Sequence, residues 1–408
     1  MRMKHNKRYF HASLLQKGLL SLLLTLWIQP AFAIELADNI QVHGFLTQGA
    51  FYTSDNNYNG DSDDDVSFDQ TEIGLNAFWQ VNDRVDFSVQ GLYRKAGKVE
   101  NGDVRLDYGM LNVNLFNDEN NYFGLRLGRI KNPVGLYNET RDTSFTTPSI
   151  LLPQGIYPER SRSLFVSSDG GQLFSKHQLG AGWLSIKLNY GKTHNDNDEI
   201  RDQMFVSYAH GDLDSEDGAF IGQIKYSFQS DKYIFALSYA DVTLDYDHSS
   251  KDIFPLTDGT ARFAPYILSA QYNGEKISLT TEYYYSENEF RDFGFLYPDS
   301  SPVTSNWYIQ GEYRLSHKWQ AIMRYDESFL DNDDRSGKNY EAMGAPGHMG
   351  FTKDSMIGVR WDIRSDVMLR AEYHNINGTS WLPSADNPDR NETKRYWDLF
   401  SLQMSYRF

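Results

Sequence analysis

Charged side chains recur in this sequence at every second position of extended segments, and that spacing sets the chemistry open to it. Arg94, Arg105, Arg126, Lys187, Lys225, Arg314, Arg324, Arg360, Arg364 and Arg370 each stand among polar residues that alternate with apolar ones. Side chains two apart on a strand share a face. These cations therefore share one surface with Glu72, Asp86, Asp107, Glu282, Glu312, Asp326, Asp362 and Glu372. A track of Arg and Lys could guide anions, whereas cross-strand pairing of opposite charges would simply keep the surface wet. A second group, Arg129, Lys131, Glu139, Arg141, Asp142, Glu159, Arg160 and Arg162, lies in or beside a Pro-rich connection spanning 131–168.

Other chemistry is poorly supported. Asp61, Asp63 and Asp65 have the alternating spacing with which carboxylates reach one hard cation, so Ca²⁺ or Mg²⁺ could sit at this acidic loop. Val66 occupies the position where a twelve-residue calcium loop needs glycine, so a solvated acidic loop is the simpler account. The chain has no Cys, which removes thiolate zinc sites, cysteine nucleophiles and disulfides together. Histidines such as His43, His177, His194 and His374 are scattered outside any recognisable nucleophile setting. Neither catalysis nor a resident cofactor is expected.

The elements that must position these residues follow from pattern. Arg2, Lys4, Lys7, Arg8 and Lys17 flank a short apolar run from Gly18 to Ile28, and Ala31-Phe-Ala33 follows. The run is well under the roughly 20 apolar residues of a spanning helix, so 1–33 reads as a cleaved secretory signal peptide. Its removal takes the net charge from −16 to −21. That balance excludes a nucleic-acid partner, which needs a concentrated basic face.

From Ile40 to Phe408, segments of about ten residues alternate apolar and polar. In the last, Phe400, Leu402, Met404, Tyr406 and Phe408 share one face and Ser401, Gln403, Ser405 and Arg407 the other. Strands this long and numerous exceed those of a soluble sandwich. Aromatic residues gather near strand ends, at Tyr283 to Tyr285, Trp319, Trp361 and Tyr396-Trp397, where membrane interfaces favour them. Seven short turns, at 81–84, 117–121, 179–182, 229–232, 273–275, 316–318 and 365–366, alternate with eight longer connections. The pattern predicts an all-β transmembrane antiparallel barrel over 34–408 with 16 strands and short periplasmic turns. The alternating stretch from Arg201 to Ala209 leaves 18 strands as the alternative.

The 131–168 connection is too apolar at Ile150, Leu151, Leu152, Ile156 and Tyr157 to wave freely. It is expected to fold into the barrel and narrow it, with Arg141, Arg160 and Arg162 facing Glu139, Asp142 and Glu159. A lid outside or a contact with a neighbouring subunit is the other arrangement.

Taken together, the leader, the strands, this connection after strand five and the terminal Tyr406-Arg-Phe408 resemble a Gram-negative outer-membrane porin. Gly128-Arg-Ile-Lys-Asn-Pro-Val-Gly135 resembles a segment of the phosphate-selective porin O/P superfamily. The resemblance implies passive diffusion of small hydrophilic solutes, a homotrimer, contact with outer-membrane lipid and lipopolysaccharide, and recognition of Phe408 by the barrel-assembly machinery. A receptor, adhesin or scaffold barrel using the acidic loops is the alternative function.

Overall fold

The computed structural model describes residues 34–195, 198–205, 209–215, 217–253 and 255–408; the leader over 1–33 lies outside the described residues. Among the described residues sixteen antiparallel strands close on themselves, and two short strands, Ile34–Ala37 and Asp212–Asp214, pair at their ends. In chain order they are β1 (Ile40–Thr53), β2 (Ser67–Asn82), β3 (Val85–Ala96), β4 (Glu100–Asn117), β5 (Asn121–Lys131), β6 (Ser167–Leu179), β7 (Gly182–Thr193) and β8 (Ala219–Phe228). They continue as β9 (Tyr233–Asp247), β10 (Gly259–Asn273), β11 (Ile277–Arg291), β12 (Val303–Arg314), β13 (Trp319–Phe329), β14 (Phe351–Arg364), β15 (Val367–Gly378) and β16 (Tyr396–Arg407). β16 pairs with β1 from Leu399↔Thr53 to Arg407↔Phe45 and completes the ring. Phe408 extends the seam by exchanging backbone hydrogen bonds with Gly44 at 3.1 and 3.0 Å.

Alternation decides which face looks where. Leu237, Leu268, Leu279, Ile309, Met323, Ile357 and Leu402 remain exposed and form an outward apolar band, while Ser238, Ser269, Thr280, Gln310, Arg324 and Gln403 on the opposite parity are buried. Aromatic belts flank the band. On the short-turn side Phe228 stacks on Tyr233 at 4.9 Å, and Trp319 lies almost parallel to Trp361 at 5.1 Å. On the long-loop side Tyr373 meets Phe400 at 4.8 Å and Tyr239 meets Tyr266 at 4.7 Å. An apolar band between two amphipathic rings matches a bilayer and its interfaces.

The eight longer connections are named L1 (54–66), L2 (97–99), L3 (132–166), L4 (194–218), L5 (248–258), L6 (292–302), L7 (330–350) and L8 (379–395). Two helices matter here: α1 (Arg162–Val166) ends L3, and α2 (Glu199–Phe205) lies in L4. The stretch behind the 18-strand alternative is thus helical over Arg201–Phe205, and 206–208 lie outside the described residues. Phe205 packs edge-on against Phe293 at 5.1 Å and against Tyr246 at 5.2 Å, and a helix presents it there. Among the described residues of L4 the strand is Asp212–Asp214, and it pairs with Asp245–Asp247.

The alternation also inverts where β9 rises beyond the bilayer. Ala240, Val242, Leu244 and Tyr246 face inward and are buried with Phe205, while Asp241, Thr243 and Asp245 face out. Outside the bilayer the outer face meets water and the inner face meets packed loops, so the polarity of the two faces exchanges.

Candidate functional site

The lumen is built from inward side chains of the strands and from L3. L3 leaves β5 and crosses to the far wall. The Gly135 N–H donates to Ser238 Oγ at 3.0 Å and its carbonyl accepts from Gln223 at 2.7 Å. The Leu136 N–H donates to Glu282 at 3.0 Å. Farther along, Ser144 Oγ lies 3.1 Å from Thr47 Oγ1 on β1, and Arg370 donates to the carbonyls of Thr147 (3.0 Å) and Ser149 (2.8 Å). Glu372 accepts from the Ile150 N–H at 2.5 Å, Arg324 donates to the Leu151 carbonyl at 2.8 Å, and Asn306 donates to the Gly155 carbonyl at 2.5 Å. Tyr157 returns to Glu282 at 2.6 Å. Every partner belongs to the inward parity of β1, β8, β9, β11, β12, β13 or β15, so L3 lies within the ring.

Apolar side chains hold it there. Ile150 and Leu151 join Phe51, Tyr58, Trp381, Trp397 and Leu399 in one buried cluster. Leu152, Ile156, Tyr157 and Leu164 join the cluster around Phe205 and Leu244. The neighbouring side chains Leu151 and Leu152 thereby anchor the loop to two separate cores.

Most of the anticipated cations are locked in ion pairs. Arg94 bridges Glu72 (2.9 Å), Glu100 (2.6 Å) and Glu159, and Arg105 adds a second contact to Glu100 at 2.9 Å. Lys131 binds Asp107 at 2.5 Å and also Asp142, which pairs with Arg162. Arg141 binds Glu159 at 2.6 Å, and Glu139 binds Lys187 at 2.6 Å. Burial alone would raise the Glu159 carboxyl, but Arg94 and Arg141 together hold it below the usual carboxylate range. Arg324 pairs with Asp326 at 2.9 Å, Arg360 with Asp362 at 2.9 Å and Arg364 with Asp366. Arg126 donates to Gln172 at 2.6 Å and covers the Phe174 ring, and Arg314 donates to turn carbonyls of Gly274 and Glu275.

Between L3, L1 and the wall of β2, β3, β15 and β16 remains a cavity of about 20 Å³, lined in part by Tyr58, Gln70, Glu72, Arg94, Arg141, Arg370 and Gln403. That volume is enough for about one water. The Nε atoms of Arg141 and Arg370 are buried without a hydrogen-bond partner in the protein, so polar hydrogens are left for such water.

Two expectations change, and the cation site weighed against a solvated acidic loop has no converged ligand set among the described residues. Arg129 does not join the constriction, because its parity is opposite to Arg126; it sits on the outer face and pairs with Asp169 at 2.7 Å. Arg160 does not face Glu139, Asp142 or Glu159 but turns to the outer loops, toward Glu199 and Arg390. Asp61, Asp63 and Asp65 do not converge. Asp61 pairs with Lys98 at 3.1 Å, Asp65 accepts its neighbour's N–H, and no group of three potential metal ligands occurs among the described residues.

Two side chains, His374 and Lys176, are not singled out as lumen sites by the residue pattern. His374, on the same face as Arg370 and Glu372, donates or accepts at Asp354 (2.7 Å) and Glu372 (3.4 Å), completing a buried set of three acids and three bases with Asp326, Arg324 and Arg370. Lys176 stands in register with Ser185, which is in register with Lys225, so both lysines enter the lumen near its short-turn end. Lys176 and Lys225 form no ion pair among the described residues, and Lys225 lies beside Lys187 and Glu139.

Comparison with solved structures gives the fold its relatives. The chain superposes on the outer-membrane channel DcaP of Acinetobacter baumannii with a TM-score of 0.57 and 13% identity, covering 93% of this chain and 100% of that one. The chain has the β-barrel fold of outer-membrane porins. OmpF of Salmonella typhi gives 0.57 at 14% identity (92% and 100% covered), and an anion-selective porin from Comamonas acidovorans gives 0.56 at 10% (90% and 99%). No protein-family model and no curated protein matches the sequence.

Proposed function

We propose that this porin-fold barrel is a narrow water-filled channel through which small hydrophilic solutes or ions diffuse passively, with a weak anion preference. The observation that carries this reading is the lumen: polar side chains enclosed by a closed ring, with L3 laid across it. Ion pairing divides the cations into two kinds. Arginines near L3 are neutralised at hydrogen-bonding distance from a carboxylate and hold the loop in place. Lys176 and Lys225 offer charge to passing ions, whereas Lys187 beside them is paired with Glu139. The same fold carries an anion-selective porin, which supports the sign. Gly128 and Gly135, the ends of the segment that resembles the porin O/P superfamily, adopt positive φ (124° and 59°) where the chain leaves β5 for the lumen. Assembly as a homotrimer, with lipopolysaccharide at the outer rim and Phe408 presented to the assembly machinery, belongs to the same proposal.

Purified mature protein in planar bilayers is expected to give discrete conductance steps. Under a salt gradient, changing Lys176→Glu and Lys225→Glu together is expected to move the reversal potential toward cations by more than Arg141→Ala does. Silence at all voltages from a folded barrel defeats the channel; an unchanged reversal potential defeats the assignment to the lysines.

A further inference from the structure

L4 and L8 are rooted on opposite walls, because β7 and β15 stand eight strands apart in the ring of 16. They nevertheless touch. The Glu199 carboxylate, at the start of α2, accepts the N–H groups of Ser384 at 2.9 Å and Ala385 at 2.6 Å. Glu199 and Ser384 are 3% and 7% exposed, as in a protein interior. Each side of this contact is tied down. α2 is held by Phe205 against Tyr246 and Phe293, and L8 is strapped to L1 by Asn387, whose Oδ1 accepts from the Asn57 N–H at 2.8 Å, to L2 by Asp386, which accepts from the Lys98 N–H at 3.0 Å, and to L7 through the Thr379 N–H and the His348 carbonyl at 2.9 Å.

A bridge between diametrically opposed loops must pass over the lumen. On the channel reading above, we propose that Glu199 is a clasp that closes the long-loop mouth, and that the channel opens when L8 parts from α2. The surroundings pull on the clasp in both directions. Arg160 of L3 and Arg390 of L8 both feel Glu199 and repel each other, with Tyr340 of L7 nearby and Asp202 adding a second acid on α2 itself. Burial pulls Arg160 down to about 10, with Arg390 adding to the effect and Glu199 opposing it. Buried charge held by two backbone donors is costly to form and costly to break, the condition for two discrete arrangements rather than a graded one.

The chain has no Cys, so a cross-link reads the clasp directly. In bilayer recordings of the full mature protein, Glu199→Ala is expected to raise the open fraction about tenfold, the effect of losing a buried charge-assisted hydrogen bond. Glu199→Cys with Ser384→Cys is expected to conduct when reduced and to fall mostly closed when cross-linked, with reversal by reductant. Cross-linked protein, verified by gel mobility, that conducts like the reduced form overturns the clasp while leaving the channel standing. If wild type, Glu199→Ala and the reduced pair are all silent although folded, the channel reading fails and the clasp with it.

Discussion

Arg94 is the residue on which the charge pairing of β2, β3, β4 and L3 converges. Three carboxylates, Glu72, Glu100 and Glu159, surround a guanidinium that is 4% exposed. Removing the cation leaves buried Glu72 without its ion-pair partner, while Glu100 and Glu159 keep Arg105 and Arg141, and breaking a buried pair typically costs about 3–5 kcal/mol. Arg94→Gln is therefore expected to lower the detergent unfolding midpoint clearly, more than Lys98→Gln at the exposed Asp61 pair; equal midpoints would show that the network contributes nothing. Asp386 carries a different residue-scale consequence. Burial lifts its carboxyl from 3.8 to about 6, with Lys98 lowering it and Glu199 raising it further. A carboxyl raised in the docked state takes up a proton on docking, so the docked L8 is fully supported below about 3.8 and loses that support as pH rises through about 6. Conductance is expected to increase across this window and to flatten in Asp386→Asn. A wild-type response that is flat, or that increases toward acid, contradicts the sign.

At the scale of elements, L3 separates what fills the ring from what forms it. The strand hydrogen bonds close without it, whereas its own contacts run to inward side chains. Excising 143–155 behind a short Gly-Ser link is expected to leave a folded barrel and to let larger neutral solutes into liposomes, read as faster swelling. Swelling unchanged from the intact chain would mean that L3 does not set the aperture. The strands and turns were legible because period two survives wherever one face meets lipid, as at Phe400, Leu402 and Met404. The apolar run Ile150 to Leu152 likewise announced a packed loop. α2 was not legible: Arg201 to Ala209 alternates well enough for a strand, and the helix packs its Phe205 on the distant Tyr246, Phe293 and Tyr297. Arg129 was legible in principle, since it stands three residues from Arg126 and so on the other face. Glu199 and Asp386 were hidden because their partners are backbone N–H groups of another loop, which no side-chain pattern records.

For the whole molecule, closure of the ring is the event on which every lumen contact depends. An open sheet edge in hydrocarbon leaves backbone groups unpaired at several kcal/mol each, so the β16–β1 seam must form for the barrel to exist in a membrane. The last pair in that seam is Gly44 with Phe408, and the Phe408 ring lies where a side chain on residue 44 would project. Gly91, outward on β3, has open space at the same place. The two glycines therefore separate seam geometry from general intolerance of bulk. Gly44→Leu is expected to slow or prevent conversion to the compact, protease-resistant form in lipid vesicles, whereas Gly91→Leu should convert like wild type. Deleting Phe408 should reproduce the Gly44→Leu defect even in vesicles without assembly proteins, because the lost backbone pair is intrinsic to the seam. Normal folding of both variants would confine Phe408 to recognition by the assembly machinery and move the closing step to the pairs between Leu399 and Arg407.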